Sequence, residues 1–391
     1  MTEIEPILRD LRVALTAGFS VEDIRLLVRN YLLVPLENIT GTNQARSIIV
    51  LEVVDWADKR DLVQELVKGA REQNPTNKEL IRVAAAFQEL QEKQQAEQAK
   101  VDQAVESQSE KRFVQRSDQR AKTAADKLFE RIVDTSSLLP MSFLEQALIV
   151  GQAVGRVHIF RNGQRVGFGT GFLVSPSLML TNNHIFSNAD AAREGKIEFD
   201  FQTGADGALR DSQFFHLSPD RFFVTDTALD FTLVAVDATS EEGKPLSEFA
   251  SIPLLPDTGK ILVGEQIAII QHPEGGQKQI ALQGNLIDMF DDFLHYRTST
   301  SGGSAGSPVF NSQWDVIAIH HSRVPNRNEK GELLTVDGEL WSPDMGRDRI
   351  DWLGKEGIRI SSILKRLQLI DLPPEQAKLR DELLAGTHPS A

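Results

Sequence analysis

One stretch that cannot form a core divides this chain. From residue 89 to about 125 the sequence consists mainly of Gln, Glu, Lys and Ala (ELQEKQQAEQAKVDQAVESQSEKRF), and apolar residues do not recur there in a sustained heptad. This composition favours a solvated, partly helical linker over a strong coiled coil, and we predict that the linker spans residues 89–140. The 391 residues are therefore expected to fold as separate units on either side of it.

Residues 1–88 predict a compact all-α bundle. Apolar residues three to four positions apart share one face of IEPILRDLRVAL, and Ser20, with Asp23 three residues on, is a good N-cap for a second helix. Further helices are predicted in QARSIIVLEVVDWADKRD, in DLVQELVKGARE and after the turn NPTNKEL. This part of the chain contains no histidine, and we expect no catalytic centre in it.

The rest of the chain predicts a β-rich domain over residues 141–375. After Pro140 one apolar helix (SFLEQALIVGQAV) precedes many short β-forming runs separated by turn signals, a spacing typical of a β-barrel or sandwich. A final helix (SSILKRLQLI) closes this domain. Residues 376–391 are predicted to form a loose tail.

Composition narrows the possible partners and compartment. The formal net charge of −14 argues against a nucleic-acid surface. The absence of cysteine excludes disulfides and thiolate metal sites and suits a reducing cytosol. No apolar run is long enough to span a membrane and no signal peptide is evident, so we expect a cytoplasmic protein without membrane contact. The histidines lack paired metal-ligand spacing and no phosphate-binding loop occurs, so neither metal nor cofactor is expected.

Three segments of the β-rich part carry the pattern of a hydrolytic site. His184 follows a strand in GTGFLVSPSLMLTNNHIF, Asp230 opens the strand of TALDFTLVAVD, and SGGSAGSPVF (residues 301–310) is a Gly/Ser loop leading into another strand. The order His, Asp, nucleophile loop is the chymotrypsin order. Read as G-x-S-x-G, the loop would offer Ser304 as the nucleophile, but that elbow leads into a helix and here a strand follows.

These segments resemble the trypsin-like serine peptidases without disulfides, in the HtrA-like and glutamyl-endopeptidase branch. In that register, set by the Pro-Val pair of SPVF, the nucleophile position is Ala305. The resemblance implies a chymotrypsin-like double β-barrel in which His184 accepts the nucleophile's proton and Asp230 orients the imidazole. It also implies an oxyanion hole formed by the backbone N–H groups of Gly303 and Ala305.

Ala305 has no hydroxyl group, so this chain as written is expected to be inactive. Two explanations remain open: an engineered Ser→Ala change in an intact serine endopeptidase, or a natural pseudopeptidase that binds peptides and assembles partners as a non-catalytic adaptor. The first is favoured because His184, Asp230, the glycines and the Ser-Pro pair are all kept. A drifting pseudoenzyme usually loses more than one part.

The resemblance extends to the pocket for the substrate's P1 side chain. In glutamyl endopeptidases a Thr five residues before the nucleophile and a His in an I-x-I-H strand bind an acidic P1 side chain, and these positions are Thr300 and His320 here. A hydroxyl and an imidazole suit a carboxylate, so cleavage after Glu or Asp is expected. Where the family usually has an aromatic residue and two glycines, this chain has His321, expected to be structural, and then Ser322 and Arg323; the Arg either adds positive charge or obstructs the pocket mouth.

Residues 3–80 resemble the bacterial effector-associated domain, a small death-like helical module. The matching segments are LRVALTAGFSVEDIRLLVRNYL, the VVDWADKRDLVQELVKGARE block around Trp56, and NPTNKEL. In that family the module binds a like module on another protein. The resemblance implies a peptidase effector of a bacterial conflict or defence system that acts on a protein substrate and is recruited or activated by a partner with a similar domain. A tether of some 50 residues would keep the peptidase near that partner at about millimolar local concentration.

Overall fold

The computed structural model describes residues 4–41, 44–60, 62–93, 96, 139–328, 330–346 and 349–385. These residues divide into two compact units. One holds the N-terminal helices together with residues 162–166 and 200–212, and the other holds the remainder of the β-rich part. Most of the predicted linker, residues 97–138, lies outside the described residues.

Five α-helices form the N-terminal bundle, as predicted: α1 (Glu5–Gly18), α2 (Val21–Leu27), α3 (Arg46–Lys59), α4 (Val63–Gln73) and α5 (78–93). The Ser20 side chain accepts the backbone N–H of Asp23 at 3.2 Å, and the Asp23 carboxylate accepts the N–H of Ser20 at 2.8 Å, which is a capping box at the start of α2. Helix α5 continues five residues past the predicted domain boundary at residue 88.

Each helix of the bundle contributes a fully buried side chain to one hydrophobic core. These residues are Leu11, Leu27, Val53, Leu66 and Leu80. Burying one such side chain contributes about 1.5–3 kcal/mol. Apolar residues that recur with the helical period supply these buried positions, which explains why the apolar periodicity alone predicted this unit.

The β-rich unit begins with helix α6 (Ser142–Gln152) and then forms a seven-stranded sheet of order β5-β4-β1-β2-β3-β7-β6. Its strands are β1 (Val154–Arg161), β2 (Gln164–Leu173), β3 (Leu178–Thr181), β4 (Lys196–Phe199), β5 (Gln213–His216), β6 (Phe223–Asp226) and β7 (Phe231–Ala235). A bridge between Leu217 and Val236 joins the ends of β5 and β7, so the sheet curls on itself.

A second set of six strands closes into a barrel of order β10-β13-β12-β11-β8-β9. Its strands are β8 (Gln266–Gln271), β9 (Gln279–Met289), β10 (Phe293–Arg297), β11 (Pro308–Phe310), β12 (Val316–Pro325) and β13 (Trp352–Arg359). The curled sheet and the closed barrel confirm the predicted all-β, chymotrypsin-like double-barrel architecture.

Three further helices of this unit lie in the described residues: α7 (Ala189–Glu194), α8 (Ile360–Gln368) and α9 (Pro374–Ala385). Helix α9 corrects the prediction of a loose tail over residues 376–391, because Leu383 is buried in the same core as α8. Residues 386–391 lie outside the described part of the chain. Among the described helices, none has the length and hydropathy that crossing a membrane requires.

Candidate active site

Strand pairing brings His184 and Asp230 together. Strands β3 and β7 are antiparallel with Thr181 opposite Thr232, so the residues just after β3 and just before β7 lie at the same edge. The Nδ1 atom of His184 lies 2.8 Å from Oδ2 of Asp230, and the backbone N–H of His184 donates to Oδ1 at 2.9 Å. Both carboxylate oxygens therefore hold the histidine, one through its ring and one through its backbone.

Asp230 occupies a left-handed backbone conformation, with φ of 46°. Such a conformation costs a non-glycine residue about 1–3 kcal/mol and persists only where its surroundings hold it. The side chain of Asn182 contributes by donating to the Asp230 carbonyl at 2.9 Å. The bent backbone turns the carboxylate of this buried residue towards His184.

Two imidazoles keep Asp230 ionised. Burial by itself raises the pKa of this carboxyl group, but the charges of His184 and His321 and their hydrogen bonds lower it more, so the pKa lies well below its usual range. The second imidazole was not anticipated: Nδ1 of His321 lies 2.5 Å from the same Oδ2 atom that His184 contacts.

His321 reaches Asp230 from a β-bulge in β12. In the pairing with β13, His320 lies opposite Gly357 and Ser322 lies opposite Glu356, which leaves His321 as the extra residue. A bulge re-aims side chains, and both consecutive histidines are buried here. The two adjacent histidines in the sequence were the available signal, but the sequence does not show which neighbouring element each one meets.

The three residues His184, Asp230 and His321 present possible metal-ligand atoms within 4.8 Å of one another. However, the two nitrogens lie 2.8 and 2.5 Å from one oxygen. The first is an ordinary N–H···O hydrogen-bond distance, and the second is a short one. We therefore interpret the group as a hydrogen-bonded carboxylate with two imidazole partners.

The loop over residues 301–307 makes a tight turn with two glycines at positive φ, Gly303 at 83° and Gly306 at 87°. A Cβ on Gly303 would lie 2.7 Å from the His272 carbonyl oxygen, so only glycine fits there. Ser304 is fully buried and its hydroxyl accepts the N–H of Ser301 at 3.3 Å. Because Ser304 points inward and β11 follows the loop, the G-x-S-x-G reading does not fit.

Hydrogen bonds to two carbonyl groups orient this loop. The backbone N–H of Glu274 donates to the Gly302 carbonyl, and the Thr170 hydroxyl donates to the Gly303 carbonyl at 2.9 Å. The C=O and N–H of a trans peptide point in opposite directions, so holding the Gly302 carbonyl inward turns the Gly303 N–H outward. Among the residues that the structure describes, neither the Gly303 nor the Ala305 backbone N–H donates to an acceptor.

Gly169 lies between the His184 segment and the 301–307 loop. A Cβ at this position would lie 2.5 Å from the Ile185 side chain and 3.6 Å from the Ala305 carbonyl oxygen. That carbonyl accepts the backbone N–H of Thr170 at 2.9 Å. The glycine thus allows the segment after β3 and the Ala305 backbone to approach the same strand, β2.

The predicted P1-binding residues are less closely grouped. His320 is buried, and its Nδ1 lies 2.8 Å from the Tyr296 hydroxyl, a contact that the sequence does not predict. Thr300 is half-buried, and Ser322 is buried with no hydrogen-bond partner for its hydroxyl within the described residues. Arg323 is exposed and its guanidinium lies 5.6 Å from the centre of the Trp352 ring.

The surroundings of His320 are electropositive. Burial, followed by the charges of Lys355, His321 and Arg323, lowers the pKa of His320 well below its usual range, so the ring is neutral. Burial raises the pKa of Tyr296, so its hydroxyl keeps its proton. When that hydroxyl donates to Nδ1 of His320, the remaining hydrogen of the ring is on Nε2.

Two segments of the sequence match known families. Residues 169–319, within the β-rich unit, match the trypsin-like peptidase domain. Residues 1–88 match effector-associated domain 1. The chain thus joins an N-terminal effector-associated domain to a trypsin-like peptidase domain.

Individual relatives cover parts of this architecture. The chain is 35% identical over 279 residues to the uncharacterized protein y4fB of Sinorhizobium fredii, an alignment covering 66% of this chain and 42% of y4fB. It is 30% identical over 92 residues to a glutamyl endopeptidase of Staphylococcus aureus, covering 22% of this chain and 25% of that protein. The chain therefore spans less than half the length of these curated relatives. A serine endoprotease structure from Yersinia pestis aligns over 63% of this chain and 68% of its own, with 16% identity and a TM-score of 0.37.

Proposed function

We propose that this protein is a serine endopeptidase effector whose active form carries a serine at position 305. The observation that supports this most strongly is the hydrogen bond between His184 and the buried Asp230, in a chain that matches the trypsin-like peptidase domain. The unengaged N–H groups of Gly303 and Ala305 add the second requirement, donors for an oxyanion.

Each group has a defined role in the proposed reaction. His184 accepts the proton of a serine hydroxyl at position 305 as its oxygen attacks the scissile carbonyl, and it later gives that proton to the leaving amine. Asp230 stabilises the imidazolium that forms in between. The N–H groups of Gly303 and Ala305 donate to the oxyanion of the tetrahedral intermediate, and water then hydrolyses the acyl-enzyme by the same route.

We further propose that the P1 side chain is acidic, Glu or Asp. A neutral His320 with its proton on Nε2 offers a donor to a carboxylate, and Thr300 offers a hydroxyl. Burial and the charge of Arg323 lower the pKa of Lys355 to about 8, so this lysine is still mostly charged at neutral pH. Positive charge around His320 favours a substrate carboxylate over a neutral or basic side chain.

Cleavage mapping in the Ala305→Ser chain tests this specificity. Incubation with a peptide library, followed by mass spectrometry of the products, is expected to give cleavage after Glu and Asp. His320→Gln in the same background is expected to lower kcat/KM for these substrates by about 10- to 100-fold, the worth of one hydrogen bond to a charged group. His216→Gln, on an exposed side chain, is the matched control. Products that end in other residues would support the peptidase activity but contradict the preference for an acidic P1 side chain.

Thr170 should position the oxyanion donors. In the Ala305→Ser chain, Thr170→Val removes the hydroxyl that donates to the Gly303 carbonyl and accepts the His272 N–H at 3.1 Å. We expect the rate of labelling by a fluorophosphonate, a reagent that reacts with activated serines, to fall by about tenfold. The control is Thr335→Val, a buried threonine outside this loop that accepts one backbone N–H. Equal labelling rates in the two variants would show that Thr170 has no such role.

The helical domain would bring this activity to its target. We propose that it binds a similar domain on a partner protein in the cytoplasm, within a bacterial conflict or defence system, and so concentrates the peptidase near its substrate. The match to effector-associated domain 1 supports recruitment. Copurification with this chain, followed by cleavage assays, would identify the partner and the trigger that activates the peptidase.

Ala305 itself favours a second candidate, a non-catalytic adaptor that binds peptides and assembles partners. The two candidates share the pocket and differ in the nucleophile oxygen. Peptide binding by the unmodified chain combined with no hydrolysis by the Ala305→Ser chain, with or without partner, would favour the adaptor.

A further inference from the structure

A line of buried acidic and imidazole groups continues behind the His184–Asp230 pair. Beyond Asp230 stands His321, whose Nε2 lies 3.9 Å from Oε1 of Glu356. The other oxygen of Glu356, Oε2, lies 2.9 Å from Nε2 of His295, its cross-strand neighbour on β10. All but His184, which is slightly more exposed, have side chains no more than 4% exposed.

The positions of the protons in this line follow from what each atom faces. His321 must donate from Nδ1, because the atom it meets there is an oxygen of the ionised Asp230. In a neutral ring, Nε2 would then present a lone pair towards the Glu356 carboxyl group. Two lone pairs facing each other in a buried site repel, so a proton is needed on one side of that gap.

Glu356 is a carboxylate that accepts a hydrogen bond from His295. Its Nδ1 is buried beside Phe290 and, within the described residues, has no hydrogen-bond partner, so a proton there would be unsatisfied. His295 is therefore neutral and donates from Nε2 to Glu356. A protonated Glu356 could not bridge 3.9 Å with a hydrogen bond, whereas the attraction of opposite charges still acts at that distance.

We propose that His321 is a positioning residue that carries a proton on both ring nitrogens and forms a buried cation between two carboxylates, Asp230 and Glu356. It holds Asp230 in place and opposes the gain of a proton by His184, whose ring centre lies 6.2 Å away. His184 then stays neutral, and able to act as a base, to a lower pH. This inference deepens the proposed function and rests on it for its catalytic meaning.

Other charged and titratable groups surround this line. Among the described residues, those facing it are His184 after β3, Asp230 before β7, Asp288 on β9 opposite His295, His295 on β10, His320 and Arg323 on β12, and Lys355 and Glu356 on β13. His320 is neutral, and Arg323 is exposed. Glu356 is thus the carboxylate on the side of His321 that faces away from Asp230.

The test uses the unmodified Ala305 chain with ¹⁵N-labelled histidine, so it does not depend on peptidase activity. Imidazole ¹⁵N spectra are recorded from pH 5 to 9, and the His321 signals are those lost in His321→Asn. The Asn side-chain N–H₂ can still donate to Asp230 but cannot become a cation. We expect His321 to show two protonated nitrogens through neutral pH and to show one in Glu356→Gln.

The same spectra follow His184. Its titration midpoint is expected to rise by about 1–2 pH units in His321→Asn, and to rise also in Glu356→Gln, because a nearby positive charge has been removed. His216→Asn, which removes an exposed imidazole paired with Glu241, should change neither residue.

A neutral His321 in the unmodified chain at pH 7, or an unmoved His184 midpoint in folded His321→Asn, would overturn the proposal. If that variant does not fold, Glu356→Gln identifies the His321 signals by their change, and the unmodified chain decides. The expected spectra together with an inactive Ala305→Ser chain would instead contradict the proposed peptidase and leave the buried cation in place.

Discussion

Ala305→Ser is expected to raise kcat for a peptide with an acidic P1 residue by about 10⁶-fold, the size of effect that removing a nucleophile has in comparable triads. The other groups of the proposed reaction are already positioned: Asp230 holds His184 at 2.8 Å, and the Gly303 and Ala305 N–H groups are unengaged within the described residues. Adding one hydroxyl supplies the attacking atom. Hydrolysis of a fluorogenic peptide by the two chains, prepared in parallel, measures the gain.

A second substitution in that background identifies the source of the activity. Asp230→Asn is expected to lower kcat by about 10⁴-fold. The amide nitrogen of Asn can only donate, so it favours the wrong His184 tautomer, the one protonated on Nε2. Asp226→Asn is the matched control, because this residue ends β6, four positions before Asp230, and bonds to Leu229 and Arg366 instead. An Asp230→Asn chain as active as the control would mean that the cleavage comes from elsewhere.

Arg156→Met is expected to lower the free energy of unfolding of the peptidase domain by about 3–5 kcal/mol. Arg156 is 1% exposed and donates from Nε to Glu198 at 2.8 Å and from Nη1 to the Gly275 carbonyl at 2.5 Å. His158 also contacts Glu198, at 2.9 Å. Removing the guanidinium leaves a buried carboxylate without its strongest counter-charge. Urea unfolding monitored by tryptophan fluorescence measures the loss.

Two comparisons separate this effect from the loss of any arginine. Arg193→Met removes an arginine whose partners, Asp190 and Asp220, are exposed, and the unfolding midpoint should stay the same. Adding Glu198→Gln to Arg156→Met should recover part of the stability, because the buried carboxylate that lost its guanidinium is then replaced by a neutral amide. If Arg156→Met and Arg193→Met unfold at the same urea concentration, the buried pair contributes nothing.

The helical bundle and the His184–Asp230 pair were predictable for different reasons. Apolar residues such as Leu11 and Leu66 recur with the helical period, and the Ser20 cap involves residues three positions apart. Residues close together in the sequence are therefore enough to predict these helices. His184 and Asp230 are 46 residues apart, and only the resemblance of their segments to a known family joined them before the structure did.

Other features depend on strand register or on contacts far along the chain. The approach of His321 to Asp230 requires a bulge in β12, and its approach to Glu356 requires the pairing of β12 with β13. The contact between Tyr296 on β10 and His320 on β12 also depends on how the strands of the barrel are arranged. Helix α9 was missed because most of its residues are at least partly exposed and Leu383 is its one buried side chain, which leaves little periodicity to read.

The proposed oxyanion donors, the N–H groups of Gly303 and Ala305, are main-chain groups, and their direction is set by the carbonyls of the preceding residues, Gly302 and Ser304. Exchanging alanine and serine at position 305 therefore leaves these two donors in place. Under the proposed function, the Ala305 chain would still attract the scissile carbonyl of a peptide that fits. It would act as a reversible trap, which releases each captured peptide with its bonds intact.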